Sequence, residues 1–359
     1  MKKRLLYISG LLALAAENSY AATSVEAFVT SHSFSNILPI KQLIEDDWQQ
    51  APEQSASDAF TQNEVGVRAY IDNFSFSVSQ RYDYFVETNS DTAQAFYLNR
   101  NDLALDSQSE YDAQLRLFHQ RSNGIKVGYK LNFDRFSSEL RIGYWRLLAT
   151  RESQLNGLIS SDLNGNIAAD AQLSEFYSTN NFLKRQNSDD WQTQGSGVTV
   201  DLHMRWQPSN NIDISLDITD IYSDYKLDNA GFSKGKIDTD GTFINSIGGI
   251  AYVPLYRGIE TAKRHNFDLP ETVNVDAIYR TNDLAYVTHF TRQGDINFYY
   301  AGVQFESEDS TTRLLFDIEN IASEIQFQNK WITAYLSLDD IDIDQAMLAK
   351  LGVNIHFQF

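Results

Sequence analysis

The chain has 359 residues, 48 acidic and 29 basic side chains, a formal net charge of −19 and no cysteine. The lack of cysteine excludes disulfide scaffolds, thiolate metal sites and cysteine nucleophiles, and the acidic balance argues against a nucleic-acid partner, which needs clustered Lys and Arg. Hydrophobic residues make up 42% of the chain and aromatic residues 13%, which is too much apolar surface for a disordered protein.

Residues 1–21 have the layout of a secretory signal peptide. Three basic residues follow Met1, an apolar stretch runs from Leu5 to Ala16, and Ser19 and Ala21 place small residues at −3 and −1 of a cleavage site. The apolar stretch is shorter than the ~20 residues that a transmembrane helix needs. We therefore predict export, followed by removal of these residues.

Residues 22–63 differ in pattern from the rest of the chain. Between Asn36 and Gln50, apolar residues recur at helical spacing, and a polar tract follows. An apolar helix face needs a surface to bury against. We therefore predict a short N-terminal plug inside a barrel, with a periplasmic segment as the alternative, and place the barrel itself at 64–359.

From residue 64 onward, apolar and polar residues alternate, which is the pattern of strands with one apolar face. The alternation is cleanest in four stretches, 125–133, 136–144, 198–206 and 212–218. Strands of ~9–11 residues are typical of membrane barrels, whereas globular strands average ~5–6. Tight turns within each pair and a long polar segment at about 150–190 between the pairs also fit an outer-membrane barrel.

The predicted fold is therefore an all-β, transmembrane antiparallel β-barrel of about 12–14 strands. A soluble β-sandwich with a large insertion is the alternative. Aromatic residues near the strand ends are candidates for the girdles at the membrane interfaces. These candidates are Tyr82, Tyr84, Tyr144, Trp145, Trp206, Tyr299, Tyr300 and Trp331.

The polar faces of the clearest strands carry charges of both signs, and we predict that they line the lumen. The predicted lumen residues are Lys126, Lys130, Glu139, Arg141, Asp201, His203, Arg205, Asp213 and Asp217. Such charges either pair across strands or line an aqueous channel. No serine or metal-ligand signature accompanies the histidines, so we predict no catalytic residue, metal or cofactor.

The C-terminal stretch alternates and ends on an aromatic residue. Its apolar positions are Leu351, Val353, Ile355, Phe357 and Phe359. A last strand with this pattern can pair with the first strand, which removes the open edge, and can turn its apolar face to lipid. A terminal Phe also resembles the recognition signal that the bacterial outer-membrane assembly machinery reads. The predicted partners are this machinery, outer-membrane lipid and lipopolysaccharide.

An internal repeat relates residues 217–227 to residues 317–327, with the pattern D-I-x-[DN]-I-x-S-[DE]-x-[KQ]-[LF]. Alternation breaks at the D-I-x-[DN]-I step, which predicts a bulge or kink where Asp or Asn caps freed backbone groups. A barrel with a strand kink and an N-terminal plug resembles the long-chain fatty-acid transporter family. The resemblance implies a monomeric barrel of fourteen strands that passes hydrophobic molecules sideways through its wall.

The function that this sequence favours is passive passage of small solutes, of unidentified chemistry, across the bacterial outer membrane. The alternatives are a transporter for hydrophobic compounds, a structural or adhesive surface barrel whose 150–190 segment binds a partner, and an outer-membrane hydrolase.

Overall fold

The computed structural model describes residues 23–45, 48–105, 109–161, 167–179, 181, 193–238, 242–244, 250–252, 256–282 and 284–358. The predicted signal peptide and Phe359 lie outside the described residues. In these ranges, no helix is both long enough and apolar enough to span a membrane.

Strands dominate the described chain because alternation at period two places one face of each strand against the interior. In chain order the elements are β1 (Thr23–Ser35), α1 (Ile40–Glu45), β2 (Asp58–Ile71), β3 (Phe74–Thr88), α2 (Ser90–Arg100), β4 (Glu110–Asn132), β5 (Phe136–Ser161), β6 (Ile167–Tyr177), β7 (Gln194–Ser209), β8 (Ile212–Asp238), β9 (Thr242–Ile244), β10 (Ile250–Tyr252), β11 (Tyr256–Phe267), β12 (Thr272–Arg280), β13 (Ala285–Gln293), β14 (Ile296–Glu306), β15 (Ser310–Asp317), β16 (Ser323–Asn329), β17 (Ile332–Leu338) and β18 (Leu348–Gln358).

Fourteen strands of the described chain form a closed antiparallel barrel. The wall runs through β1–β5, β7, β8 and β12–β18, and β18 then pairs with β1 in a register that includes Val25 opposite Phe357. Closure leaves no unpaired edge in this wall. The predicted fold class is confirmed, and the strand count lies within the predicted 12–14.

The two ends of the barrel differ in the length of their connections. At the short-turn rim, neighbouring strands are joined by brief segments such as 72–73 and 210–211. At the long-loop rim, the connections include 36–57 and 89–109. Outer-membrane barrels show the same asymmetry, with short turns at the periplasmic end.

Side-chain exposure shows which face of the wall points outward. Ile125 is 53% exposed, whereas its neighbour Lys126 is 5% exposed. On the closing strand, Leu351, Ile355 and Phe357 are also exposed on the outer face. The outer wall is thus apolar and the inner wall polar, because the pleat sends successive side chains to opposite faces.

The N-terminal segment differs from the prediction of a plug in 22–63. Residues 23–35 form β1, so the barrel begins well before residue 64. The alternation in β1 is obscured because its inner face carries the apolar side chains Phe28 and Phe34 among polar ones.

Residues 36–57 form the connection from β1 to β2 at the long-loop rim. The predicted helix is present as α1, and Ile37 and Leu38 pack in one cluster with Ala59 of β2 and Val86 of β3. Ala59 and Val86 are opposite each other and point away from the lumen, since the adjacent pair Phe60 and Phe85 points inward. Ile37 and Leu38, just before α1, and Leu43 of α1 therefore pack against the outside of the wall, whereas Ile44 is 72% exposed.

In the segment predicted as a polar loop at 150–190, most of the residues that the structure describes lie in strands. β5 continues to Ser161, and β6 pairs with this upper part of β5 and with the upper part of β8. Together with β11, which pairs with β8 on its other side, these strands extend the sheet beyond the long-loop rim. Nearer the C-terminus, β16 and β17 form a hairpin joined by a turn.

Candidate functional site

A network of buried ions crosses the middle of the lumen. The Lys126 Nζ atom lies 2.8 Å from Asp201 Oδ2 and 3.7 Å from Glu64 Oε2. The strand pairs β4–β5 and β5–β7 bring Lys126 and Asp201 together, because these residues sit on inner faces two strands apart. A buried charge is costly unless it is paired. Lys126 therefore holds its own strand, β4, to β2 and β7, which carry Glu64 and Asp201.

Arg81 forms the second half of this network. Its Nε atom lies 2.7 Å from Asp83 Oδ2, and its Nη1 atom lies 2.6 Å from Asp220 Oδ2. Gln120 Nε2 donates a further hydrogen bond of 2.7 Å to Asp83. All four side chains are buried. Arg81 of β3 thus contacts Asp220 in the middle of β8, although β4, β5 and β7 lie between these two strands in the wall.

The remaining predicted lumen residues lie nearer the short-turn rim. Arg141 donates two hydrogen bonds of 2.7 Å to Glu139, and Arg205 forms a two-point contact with Asp213. His203 contacts Asp217, and Lys130 is exposed at the short-turn end of β4. Mixed charges in this part of the lumen therefore pair locally.

Two cavities with charged residues in their linings occupy the lumen. The larger, about 380 Å³, includes His32, Arg81 and Lys350 in its lining. The smaller, about 230 Å³, is lined in part by Lys126, Arg141, Asp201, His203 and Asp217. The linings of both cavities carry charges of both signs.

β8 is kinked where the first copy of the repeat predicts it. Asp220 has φ +57°, a left-handed conformation that is uncommon for residues other than glycine. Thr219 pairs with Thr272 of β12 and Tyr225 pairs with Phe267 of β11, but no ladder pairing joins 220–224 to the connecting residues 268–271. We call this interruption of the wall the seam.

Side chains replace the missing ladder bonds at the seam. Asp201 Oδ1 accepts a 3.0 Å hydrogen bond from the Asp220 N–H, and Ser223 Oγ accepts a 2.7 Å bond from the Leu269 N–H. The capping acid at the kink is thus a residue of the neighbouring strand β7. The repeat pattern could not predict this, because Asp201 lies outside the repeat.

The second copy of the repeat is a turn between β15 and β16. Asp317 Oδ1 accepts hydrogen bonds from the N–H groups of Glu319 (2.9 Å) and Asn320 (3.1 Å), as the predicted capping requires. Ile321 then takes the positive φ, +54°. A strand–turn–strand unit therefore occurs in this copy, whereas β8 runs on through the kink.

A series of ring contacts on the inner face leads from the extended sheet into the barrel. It starts at Phe232 and Phe176, whose ring centroids are 4.7 Å apart, and Phe176 stacks on His265 at 3.8 Å. The further members are Phe267, Phe118, Phe85, Phe60, Phe34 and Phe298, with neighbouring centroids at most 6.4 Å apart. We call these nine rings the aromatic row.

The sequence does not predict the aromatic row, because its members come from eight strands and meet only through the register of the sheet. Among the predicted girdle residues, Tyr144, Trp206, Tyr299 and Trp331 are exposed on the outside, whereas Trp145 and Tyr300 point inward and are buried. Trp145 follows Tyr144 directly, so alternation alone places it on the opposite face.

A cross-strand ladder in the larger cavity has the outline of a hydrolytic triad. His289 Nδ1 lies 3.1 Å from Asp276 Oδ1, and His289 Nε2 lies 2.9 Å from Thr291 Oγ1. Thr291 is only 1% exposed and also donates to Asn274 Oδ1. Because its hydroxyl is enclosed, we assign this ladder no catalytic role.

Neither a protein-family profile nor a curated protein matches the chain. Among solved structures it is similar to the Pseudomonas putida toluene transporter TodX (9% identity, 95% of this chain and 90% of that chain, TM-score 0.43). It is also similar to a Pseudomonas aeruginosa FadL homologue (11%, 94% and 89%, 0.38) and to the translocator domain of the autotransporter NalP from Neisseria meningitidis (8%, 100% and 95%, 0.35). These structures are bacterial outer-membrane β-barrels, and the likeness extends no further than that fold.

Proposed function

We propose that the chain resides in the bacterial outer membrane and passes small hydrophobic compounds through its wall. The location follows from the apolar outer face of a closed barrel, which needs lipid around it, and from the polar inner face. The long-loop rim then faces the exterior. This orientation puts the extended sheet, with the first rings of the aromatic row, where an incoming compound arrives.

The aromatic row is the observation that carries the proposal. An apolar solute gains little from a charged lumen, whereas a continuous series of rings offers it apolar contact at every step. Phe176, Phe85 and Phe118 are only partly buried, so the row has accessible faces along its length.

The seam supplies the exit. Phe267, in the middle of the row, directly precedes the residues 268–271 that lack ladder pairing with β8. Beyond this point the lumen is crossed by the ion pairs of Lys126 and Arg81. A hydrophobic compound at Phe267 therefore finds its lowest barrier sideways, into the bilayer, rather than down the charged lumen.

Passive passage of small polar solutes requires a water-filled lumen instead. Transport measurements in vesicles that contain the full chain distinguish the two functions. We expect uptake of a radiolabelled alkylbenzene to rise above that of empty vesicles, while swelling in isotonic arabinose stays at the empty-vesicle rate. Fast swelling in arabinose without alkylbenzene uptake would favour the porin function.

A variant pair tests the role of the row itself. Phe118→Ser removes a ring in the middle of the row and should lower alkylbenzene uptake about fivefold, the effect of one lost aromatic contact of ~1 kcal/mol. Phe133→Ser removes an exposed ring in the turn between β4 and β5 at the other rim and should leave uptake unchanged. Equal uptake by both variants would refute transport along the aromatic row.

A further inference from the structure

Four basic side chains lie together on the outer face of the wall, just beyond the apolar surface on the long-loop side. They are Arg121 of β4, Arg146 of β5, Lys226 of β8 and Arg264 of β11, and all four are exposed. We call this group the basic belt. It stands out because the chain as a whole carries a net charge of −19.

Sheet register brings the basic belt together. Arg146 is opposite Ser196 of β7, and Ser196 is opposite Lys226, so the two cations are two strands apart, at about 10 Å. Arg146 is also opposite Asn123, two residues from Arg121 on the same face of β4. Such diagonal neighbours are about 7–8 Å apart, a spacing at which one phosphate group can meet two guanidinium groups.

Half of the basic belt has no side-chain partner within the described part of the chain. Lys226 lies 3.1 Å from Asp224, and Arg264 lies 2.7 Å from Asp228. Neither the Arg121 side chain nor the Arg146 side chain forms an ion pair or hydrogen bond with any other residue of the described ranges. Two unpaired arginines on adjacent strands leave donors for bidentate contacts with an anion.

The surface next to the basic belt is apolar. Ile125, Tyr144, Val198 and Tyr222 are all 40% or more exposed on the outer face, and they lie closer to the short-turn rim on β4, β5, β7 and β8. A ligand that satisfies both surfaces has an anionic group joined to hydrocarbon. A free anion would leave the apolar surface uncovered.

We propose that the basic belt binds the phosphorylated headgroup of a lipid in the outer leaflet, with the acyl chains lying along the apolar surface beside it. Arg121 and Arg146 hold the phosphate, while Lys226 and Arg264 add positive potential at its edge. Basic residues at a membrane surface attract anionic headgroups by about 1 kcal/mol each, or about fivefold in affinity.

Native mass spectrometry of the purified full chain in detergent, titrated separately with phosphatidic acid and phosphatidylcholine, tests this site. The unmodified chain should bind phosphatidic acid more tightly. Arg121→Gln combined with Arg146→Gln should weaken phosphatidic acid binding about 30-fold and leave phosphatidylcholine binding unchanged.

A control removes the same charge at the other rim, where Arg135→Gln and Lys330→Gln should leave the affinity for phosphatidic acid unchanged. The charge-conserving pair Arg121→Lys and Arg146→Lys should retain most of the binding, and heat-modifiable migration checks that every variant is folded. If Arg121→Gln/Arg146→Gln does not fold, Arg146→Gln alone should weaken binding about fivefold.

Equal weakening in the two Gln pairs would overturn the proposal, because binding would then follow net charge alone. Displacement of phosphatidic acid by equimolar inorganic phosphate would also overturn it, because the acyl chains would then contribute nothing.

Discussion

Replacing Arg81 by methionine should destabilise the barrel more than any exposed charge substitution, because it leaves two buried carboxylates without their cation. Asp83 and Asp220 have fully buried side chains, 2.7 and 2.6 Å from the guanidinium group. Removing one partner of a buried ion pair costs about 3–5 kcal/mol. Asp83 keeps its hydrogen bond from Gln120, so we expect a loss near 3 kcal/mol for Arg81→Met.

Urea unfolding of the protein in lipid vesicles, followed by tryptophan fluorescence, measures this loss. Arg292→Met is the matched control, since Arg292 lies 3.0 Å from Glu271 in a pair that is almost half exposed. An exposed pair contributes about 0–1 kcal/mol. Adding Asp220→Asn to Arg81→Met should recover part of the stability, because one of the unpaired charges is then neutral.

Comparable losses in Arg81→Met and Arg292→Met would refute this reasoning, because burial of the carboxylates would then have no energetic effect. Additive effects of Arg81→Met and Asp220→Asn would refute it as well, since the two groups would then be uncoupled.

Three further substitutions test the packing, the repeat and the seam. Gly124→Ala places a Cβ atom 2.2 Å from the ring of buried Trp145 and should lower the free energy of unfolding in urea by about 1–3 kcal/mol. Asp317→Ala removes two backbone caps and should cost about 2 kcal/mol in the same assay, whereas Asp217→Ala, its counterpart in the repeat, should cost less than about 1 kcal/mol because that side chain is half exposed. Ser223→Ala removes an acceptor that closes the seam and should speed both amide hydrogen exchange there and alkylbenzene uptake; unchanged exchange would contradict that role.

The fold could be predicted because alternation survives wherever only one face is apolar. In the pair of strands around Lys126 and Glu139, exposure matches the sequence pattern residue by residue. Alternation does not predict β1, because Phe28 and Phe34 point inward and both faces of the strand therefore carry apolar residues. Alternation thus identifies strands that face a polar lumen and misses those that contribute to an apolar interior.

The sequence predicts which charged residues line the lumen, but it does not predict which of them form ion pairs with each other. Alternation predicts that Lys126 and Asp201 both line the lumen, but their 2.8 Å contact depends on the register of two intervening strand pairs. Arg81 was not recognised, since its partner Asp220 is more than a hundred residues away. The identity of the ion-pair partners depends on the register between distant strands, which the periodicity within a single strand does not reveal.

The pairing of β18 with β1 sets the order of events during assembly. Ser24 pairs with Gln358, so the first and last strands of the wall are more than 300 residues apart in the chain. Closing so long a loop is entropically slow, and until it happens both strands expose unpaired backbone groups to neighbouring chains. Until β18 meets β1, the sheet therefore has two open edges with which strands of other chains can pair, and closure of the barrel removes this route to aggregation.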